Sequence, residues 1–97
     1  MAIAAIVEFP EATLAQYDEV IRRLHSTPGG SAPAGRLFHW VASTRPGIRI
    51  TDVWESREQF DAFYRDHVDP IAADEGLHFG DTTFVGVHNY LAAGPPT

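Results

Sequence analysis

Apolar runs of two different periods follow one another along the chain, and each change of period falls at a punctuating residue. AIAAIVEF, residues 2–9, is apolar, stops at Pro10 and is too short for a helix, so it predicts a first strand. Thr13 then offers an N-cap, with Gln16 three residues on to complete a capping box. Leu14, Tyr17, Val20, Ile21 and Leu24 recur at helical spacing, which predicts a first helix ending near His25. STPGGSAPAG, residues 26–35, reads as a flexible loop. Leu37–Ser43 and Ile48–Glu55 predict two strands joined by the tight turn TRPG. Ser56, again with Gln three residues later, opens a second helix whose stripe is Phe60, Phe63, Tyr64, His67 and Ile71. Proline removes a donor and clashes with the preceding turn, so a kink or break is expected at Asp69-Pro70. Gly76 would end the second piece, and Thr82–Leu91 predicts a fourth strand.

The order is βαββαβ. TLAQYDEVIRR (13–23) and SREQFDAFYRD (56–66) align at an offset of 43 with seven matched positions, as two copies of a β–α–β half would. Such a chain predicts an α+β, ferredoxin-like domain: a four-stranded antiparallel sheet with both helices on one face. One domain is expected over residues 1–92, followed by a frayed tail at 93–97. Strand four carries apolar residues on both sides, with Phe84, His88 and Tyr90 sharing one of them. The face left free of helices is therefore too apolar for water, and two sheets packed face to face as a homodimer would cover it.

Charge and composition narrow the function. The net charge of −6 and a pI near 5.1 disfavour a phosphate-tracking surface, so nucleic acid is not an expected partner. Without cysteine there is no disulfide framework, thiolate metal site or thiol nucleophile. His39, His67, His78 and His88 lack close ligand spacing, so no metal is expected. No phosphate-binding loop and no nicotinamide or flavin fingerprint occurs, so no cofactor is expected. No apolar run is long enough to span a membrane, and the N-terminus lacks a charged n-region, which leaves the cytoplasm as the default location.

The element order, VWESREQF (53–60) and the terminal VHNYL together resemble the dimeric α/β-barrel superfamily, especially the antibiotic-biosynthesis monooxygenases. That resemblance implies a dimer with a pocket between sheet and helices or inside the barrel. It also implies a cofactor-free enzyme of secondary metabolism acting on an aromatic or polyketide-like small molecule. Trp54 matches the tryptophan that lines the pocket of the polyketide oxygenases. Their asparagine four residues earlier and tyrosine six residues later are Ile50 and Phe60 here. The haem-degrading branch requires an asparagine on the first strand, a tryptophan where Phe63 stands and a histidine where Ala73 stands, and all three are missing. Tyr64 and His67 resemble in type the histidine and tyrosine of the aldol-type cyclases.

RITDVWES, residues 49–56, holds the candidate chemistry. Ile48, Ile50, Asp52 and Trp54 share one face of a strand, so a carboxylate sits among large apolar groups, where an unpartnered charge is costly. The TRPG hairpin pairs Ser43 with Ile48, and the same register sets Val41 opposite Ile50 and His39 opposite Asp52. Opposed residues bring their Cβ atoms to about 5 Å, within hydrogen-bonding reach for an imidazole and a carboxylate. Asp52 would orient His39 and fix its tautomer, leaving the other nitrogen to take a proton from a phenol or acidic C–H. The pair is expected on the helix-free side of the sheet. His88 would join them as a catalytic group, with Trp54, Tyr64, His67, Phe84 and Tyr90 contacting substrate. His25 and His78 read as surface residues. Proton removal would open two routes, oxygenation by dioxygen or cyclisation. The rival from another class is a non-catalytic small-molecule-binding or structural barrel.

Overall fold

The computed structural model describes residues 1–26 and 30–91. Part of the 26–35 loop and the expected tail at 93–97 lie outside the described residues. β1 (Ile3–Pro10), α1 (Leu14–Arg23), β2 (Arg36–Ser43), β3 (Gly47–Trp54), α2 (Arg57–Phe63), α3 (Asp69–Asp74) and β4 (Thr82–Gly86) follow in order. The four strands form one antiparallel sheet in the order β2-β3-β1-β4. This is the ferredoxin-like α+β arrangement that the sequence pattern predicts.

Both helices begin where their caps do. The Thr13 side chain accepts from the Gln16 backbone N–H at 3.1 Å, and Gln16 Oε1 accepts from the Thr13 N–H at 2.9 Å. Ser56 accepts from the Gln59 N–H at 3.3 Å. The core forms where the helices lie against alternate residues of the two central strands. Ala5, Val7 and Phe9 of β1 and Ile48, Ile50 and Trp54 of β3 pack against Val20, Phe60, Tyr64, Val68 and Ala72. Trp54, Phe9 and Ile48 are fully buried, each worth about 1.5–3 kcal/mol in apolar burial.

Three expectations are corrected. First, the face bearing Ile48, Ile50, Asp52 and Trp54 is the one the helices cover, not the helix-free one. Both faces of the sheet are apolar, so alternation alone does not say which the helices take. Second, the helix does not break at Asp69-Pro70. It runs on through a π-helical turn at Tyr64–Val68, where the Asp69 N–H bonds to the Tyr64 carbonyl. The wider turn just before Pro70 accommodates a residue with no donor. It also keeps the stripe straight: residues four apart drift about 40° around a regular α-helix, yet Phe60, Tyr64, Val68 and Ala72 all stay buried. Gly76 ends α3 at φ +75°.

Third, β4 ends at Gly86 rather than Leu91. Its partner runs out: Gly86 pairs with Ile3, the first residue of β1, and one further bond joins the Val87 N–H to the Ala2 carbonyl. His88 and Tyr90 therefore leave the sheet and are exposed. Phe84 does not share a face with them. It points to the helix side, with its ring 5.1 Å from Phe60 and the Arg57 guanidinium 3.6 Å over its face.

Candidate active site

The β2–β3 hairpin has the expected register, with Ser43 opposite Ile48, Val41 opposite Ile50 and His39 opposite Asp52. His39 Nδ1 lies 2.5 Å from Asp52 Oδ1. Asp52 is almost wholly buried at 1% exposure, and its second oxygen is also satisfied. Trp54 Nε1–H donates to Oδ2 at 3.2 Å, and the Tyr64 hydroxyl approaches the same oxygen at 3.5 Å. Buried polar groups need such partners, and among the described residues no buried side-chain N or O atom lacks one.

The other imidazole nitrogen is occupied as well. The Tyr17 hydroxyl, carried on α1, lies 2.5 Å from His39 Nε2, and the two rings stack 10° from parallel. Donors already fill Asp52 Oδ2, so Oδ1 takes the proton of His39 Nδ1. In the neutral ring Nε2 is then the acceptor for the Tyr17 hydroxyl. Burial, followed by the Asp52 charge, pushes the Tyr17 phenol up to about 12, so near neutrality it is a donor. Burial likewise raises the Tyr64 phenol well above its usual value. The outcome is a directed chain: Tyr17 O–H to His39 Nε2, His39 Nδ1–H to Asp52, with Trp54 holding the carboxylate from behind. If His39 gains a proton, the Tyr17 hydroxyl hydrogen need only turn away for Nε2–H to donate to the Tyr17 oxygen, with no heavy atom moving.

This chain lies on the wall of a partly enclosed cavity of about 30 Å3 between sheet and helices, room for about one water molecule. Tyr17, Arg36, His39, Asp52 and Tyr64 supply its polar side, and Val20, Leu24, Phe63 and Val68 much of the rest. Leu24 and Phe63 also line an open cleft of about 740 Å3, with His25, Ser26 and residues 31–34 on one side and Gln59, Ala62, Asp66 and His67 on the other. Arg36 arrives through a bulge. Between Arg36 and Phe38 the β2 register slips, so that Arg36 pairs with Trp54 and joins His39 on the inner face. Among the described residues no three His, Asp or Glu side chains converge as a metal site.

The expected site residues divide accordingly. His39, Asp52 and Tyr64 meet at the inner cavity, whereas Trp54 anchors Asp52 instead of lining the space. His67 is exposed and lines the outer cleft, its ring 5.5 Å from Phe63. Phe84 lines a separate groove with Arg57, Phe60 and Phe79. His88 and Tyr90 line neither the cavity nor the cleft. Two residues escape the sequence reading. Tyr17 looks like one more member of the first helix's apolar stripe, although its hydroxyl needs a partner. Arg36 is displaced by a bulge that periodicity does not reveal.

The four-stranded sheet with its helices makes the chain a ferredoxin-like protein, built like the antibiotic-biosynthesis monooxygenases. Among solved structures it is similar to a protein from Chloroflexus aurantiacus provisionally named an antibiotic biosynthesis monooxygenase, with TM-score 0.65 and 25% identity over 97% of this chain and 100% of that one. It is also similar to SnoaB, a cofactor-independent oxygenase from Streptomyces nogalater, with TM-score 0.61 and 15% identity over 95% and 98%. A Deinococcus radiodurans protein given the same provisional name as the first matches with TM-score 0.55 and 16% identity over 98% and 100%. No protein-family model matches the sequence, and no curated protein matches it significantly.

Proposed function

We propose that this protein is a cofactor-free enzyme that removes a proton from an aromatic or polyketide-like substrate, with His39 as the base. The observation that carries the reading is the half-buried Tyr17–His39–Asp52 chain on the wall of the sheet–helix cavity. Asp52 fixes the tautomer that leaves Nε2 as acceptor. In the resting site that acceptor is occupied by an internal phenol, Tyr17, which stands in for the substrate's acidic group. A substrate entering from the cleft past Phe63 would take the place of the Tyr17 hydroxyl on Nε2. Tyr17, held as a phenol, would then donate to the developing oxyanion. Tyr64 would steady the Asp52 side, and His67 would contact the part of the substrate left in the cleft.

The carbanion or enolate so formed can react with dioxygen, one oxygen atom entering the product as a carbonyl and the other leaving as water. It can instead attack a carbonyl of the same molecule. Likeness to a cofactor-independent oxygenase favours the first route. The test is aerobic turnover of anthrone by the intact protein. The expected result is oxygen uptake with conversion to the quinone, reduced roughly 10²–10⁴-fold in His39→Ala and substantially in Tyr17→Phe. Equal rates in wild type and His39→Ala would overturn the reading. One observation favours a second, non-catalytic reading as a binding or structural barrel: the polar chain is closed on itself around a cavity of only about 30 Å3. That reading expects His39→Ala to lose stability and no turnover to exist.

The helix-free face supports a homodimer. Phe38, Trp40 and Val85 project from it at 43%, 42% and 48% exposure, and a second copy offering the same face would cover them.

A further inference from the structure

We infer that Arg36 makes this site selective for anionic aromatics, binding a substrate carboxylate or equivalent acid beside the phenol or acidic C–H that His39 addresses. This deepens the proposed function and rests on it for the identity of the site. Three observations carry it. The first is the bulge: a regular continuation of β2 would turn Arg36 to the helix-free face. The slip between Arg36 and Phe38 turns it inward instead, level with Trp54 and next to the His39–Asp52 row. Bulges of this kind re-aim single side chains beside functional sites.

The second is that Arg36 is unclaimed. Arg22, Arg23, Arg49, Arg57 and Arg65 each pair with a carboxylate, and Arg36 forms no ion pair among the described residues. Asp52, the buried acid of the site, spends both oxygens on His39, Trp54 and Tyr64. In a chain with thirteen acidic residues against seven basic ones, a half-buried arginine that no carboxylate among the described residues holds is free to pair with an anion. The third is placement. The guanidinium sits 6.0 Å from the Phe63 ring, which divides the inner cavity from the open cleft. An aromatic acid lying in the cleft against Phe63 would direct its carboxylate to Arg36 and its neighbouring hydroxyl to Tyr17 and His39. The planar fork of arginine suits a carboxylate better than the point charge of lysine does.

The experiment is calorimetric titration of the full chain with two probes, a hydroxynaphthoate whose hydroxyl adjoins its carboxylate and the matching naphthol. Wild type should bind the acid roughly tenfold more tightly than the naphthol. Arg36→Gln should erase the preference by weakening the acid alone, and Arg36→Lys should keep part of it, which guards against simple loss of the fold. Equal affinities in wild type, or a preference that survives Arg36→Gln, would overturn the assignment. Because no turnover is measured, failure here leaves the base chemistry standing, and failure of anthrone oxygenation leaves the anion site standing.

Discussion

Asp52 is where single side chains decide what the molecule can do. An isolated carboxylate at that depth would be very unfavourable, and its partners turn the liability into orientation of His39. Replacing it with Asn tests this directly. The amide oxygen must face the donors Trp54 and Tyr64, so the amide NH2 faces His39 Nδ1, which must then give up its proton. His39 would become the Nε2–H tautomer and donate to Tyr17, with no free base. Asp52→Asn is thus expected to lose about 1 kcal/mol of stability but roughly 10²–10⁴-fold in turnover. Nitrogen NMR of the imidazole reads the tautomer, and an unchanged ring would count against the account. Tyr17 gives a pH signature. Its phenol ionises near 10 in the unfolded chain and about 12 in the folded one, so the contribution is present below pH 10 and lost as pH rises towards 12. Denaturant unfolding should therefore weaken more steeply across that window in wild type than in Tyr17→Phe, and parallel curves would contradict it. Of this site, the His39–Asp52 pair was legible in the sequence because hairpin register is arithmetic. Tyr17 was not, because a helical stripe shows which residues face inward but not which strand residue each will meet.

Elements place these groups, and the tightest constraint sits in the hairpin turn. Gly47 opens β3 so close to β1 that an added Cβ would fall 2.0 Å from the Phe9 carbonyl oxygen and 2.8 Å from the Glu11 nitrogen. Both are backbone atoms and cannot rotate away. Gly47→Ala is expected to cost about 1–3 kcal/mol and to disturb the register that pairs His39 with Asp52. A lowered denaturant midpoint with an unchanged slope would show the first, and loss of the His39–Asp52 hydrogen bond by NMR the second. An unchanged midpoint would show that the turn has slack. At this scale the caps, the turn and the order of elements along the chain were legible, since Thr13, Ser56, TRPG and Gly76 each act through local chemistry. The π-helical turn and the early end of β4 were not. The first depends on keeping Phe60, Tyr64, Val68 and Ala72 buried on both sides of Pro70. The second depends on where β1 begins, which VGVHNYL does not reveal.

For the whole molecule, the two faces of the sheet have different tasks. The covered face carries the polar chain, and the bare one carries rows that run across all four strands: Phe38, Val53, Ala4 and Val85, then Trp40, Thr51, Ile6 and Thr83. The only charged side chains among the strand residues of that face are Glu8 and Arg49, which pair with each other at 2.5 Å. A chain of net charge −6 would normally repel its own copy, yet this surface presents almost no uncompensated charge to a partner. The homodimer we propose thus follows from where the acids are not as much as from where the apolar groups are. Trp40 lies in the middle of β2, opposite Thr51, with its neighbour His39 turned to the other side. Trp40→Glu should therefore split the dimer while leaving the His39–Asp52 bond and the fold intact. Sedimentation velocity at micromolar concentration should give a dimer for wild type and a monomer for the variant. A wild-type monomer, or a variant that still sediments as a dimer, would mean that something other than a second copy of this face covers these side chains.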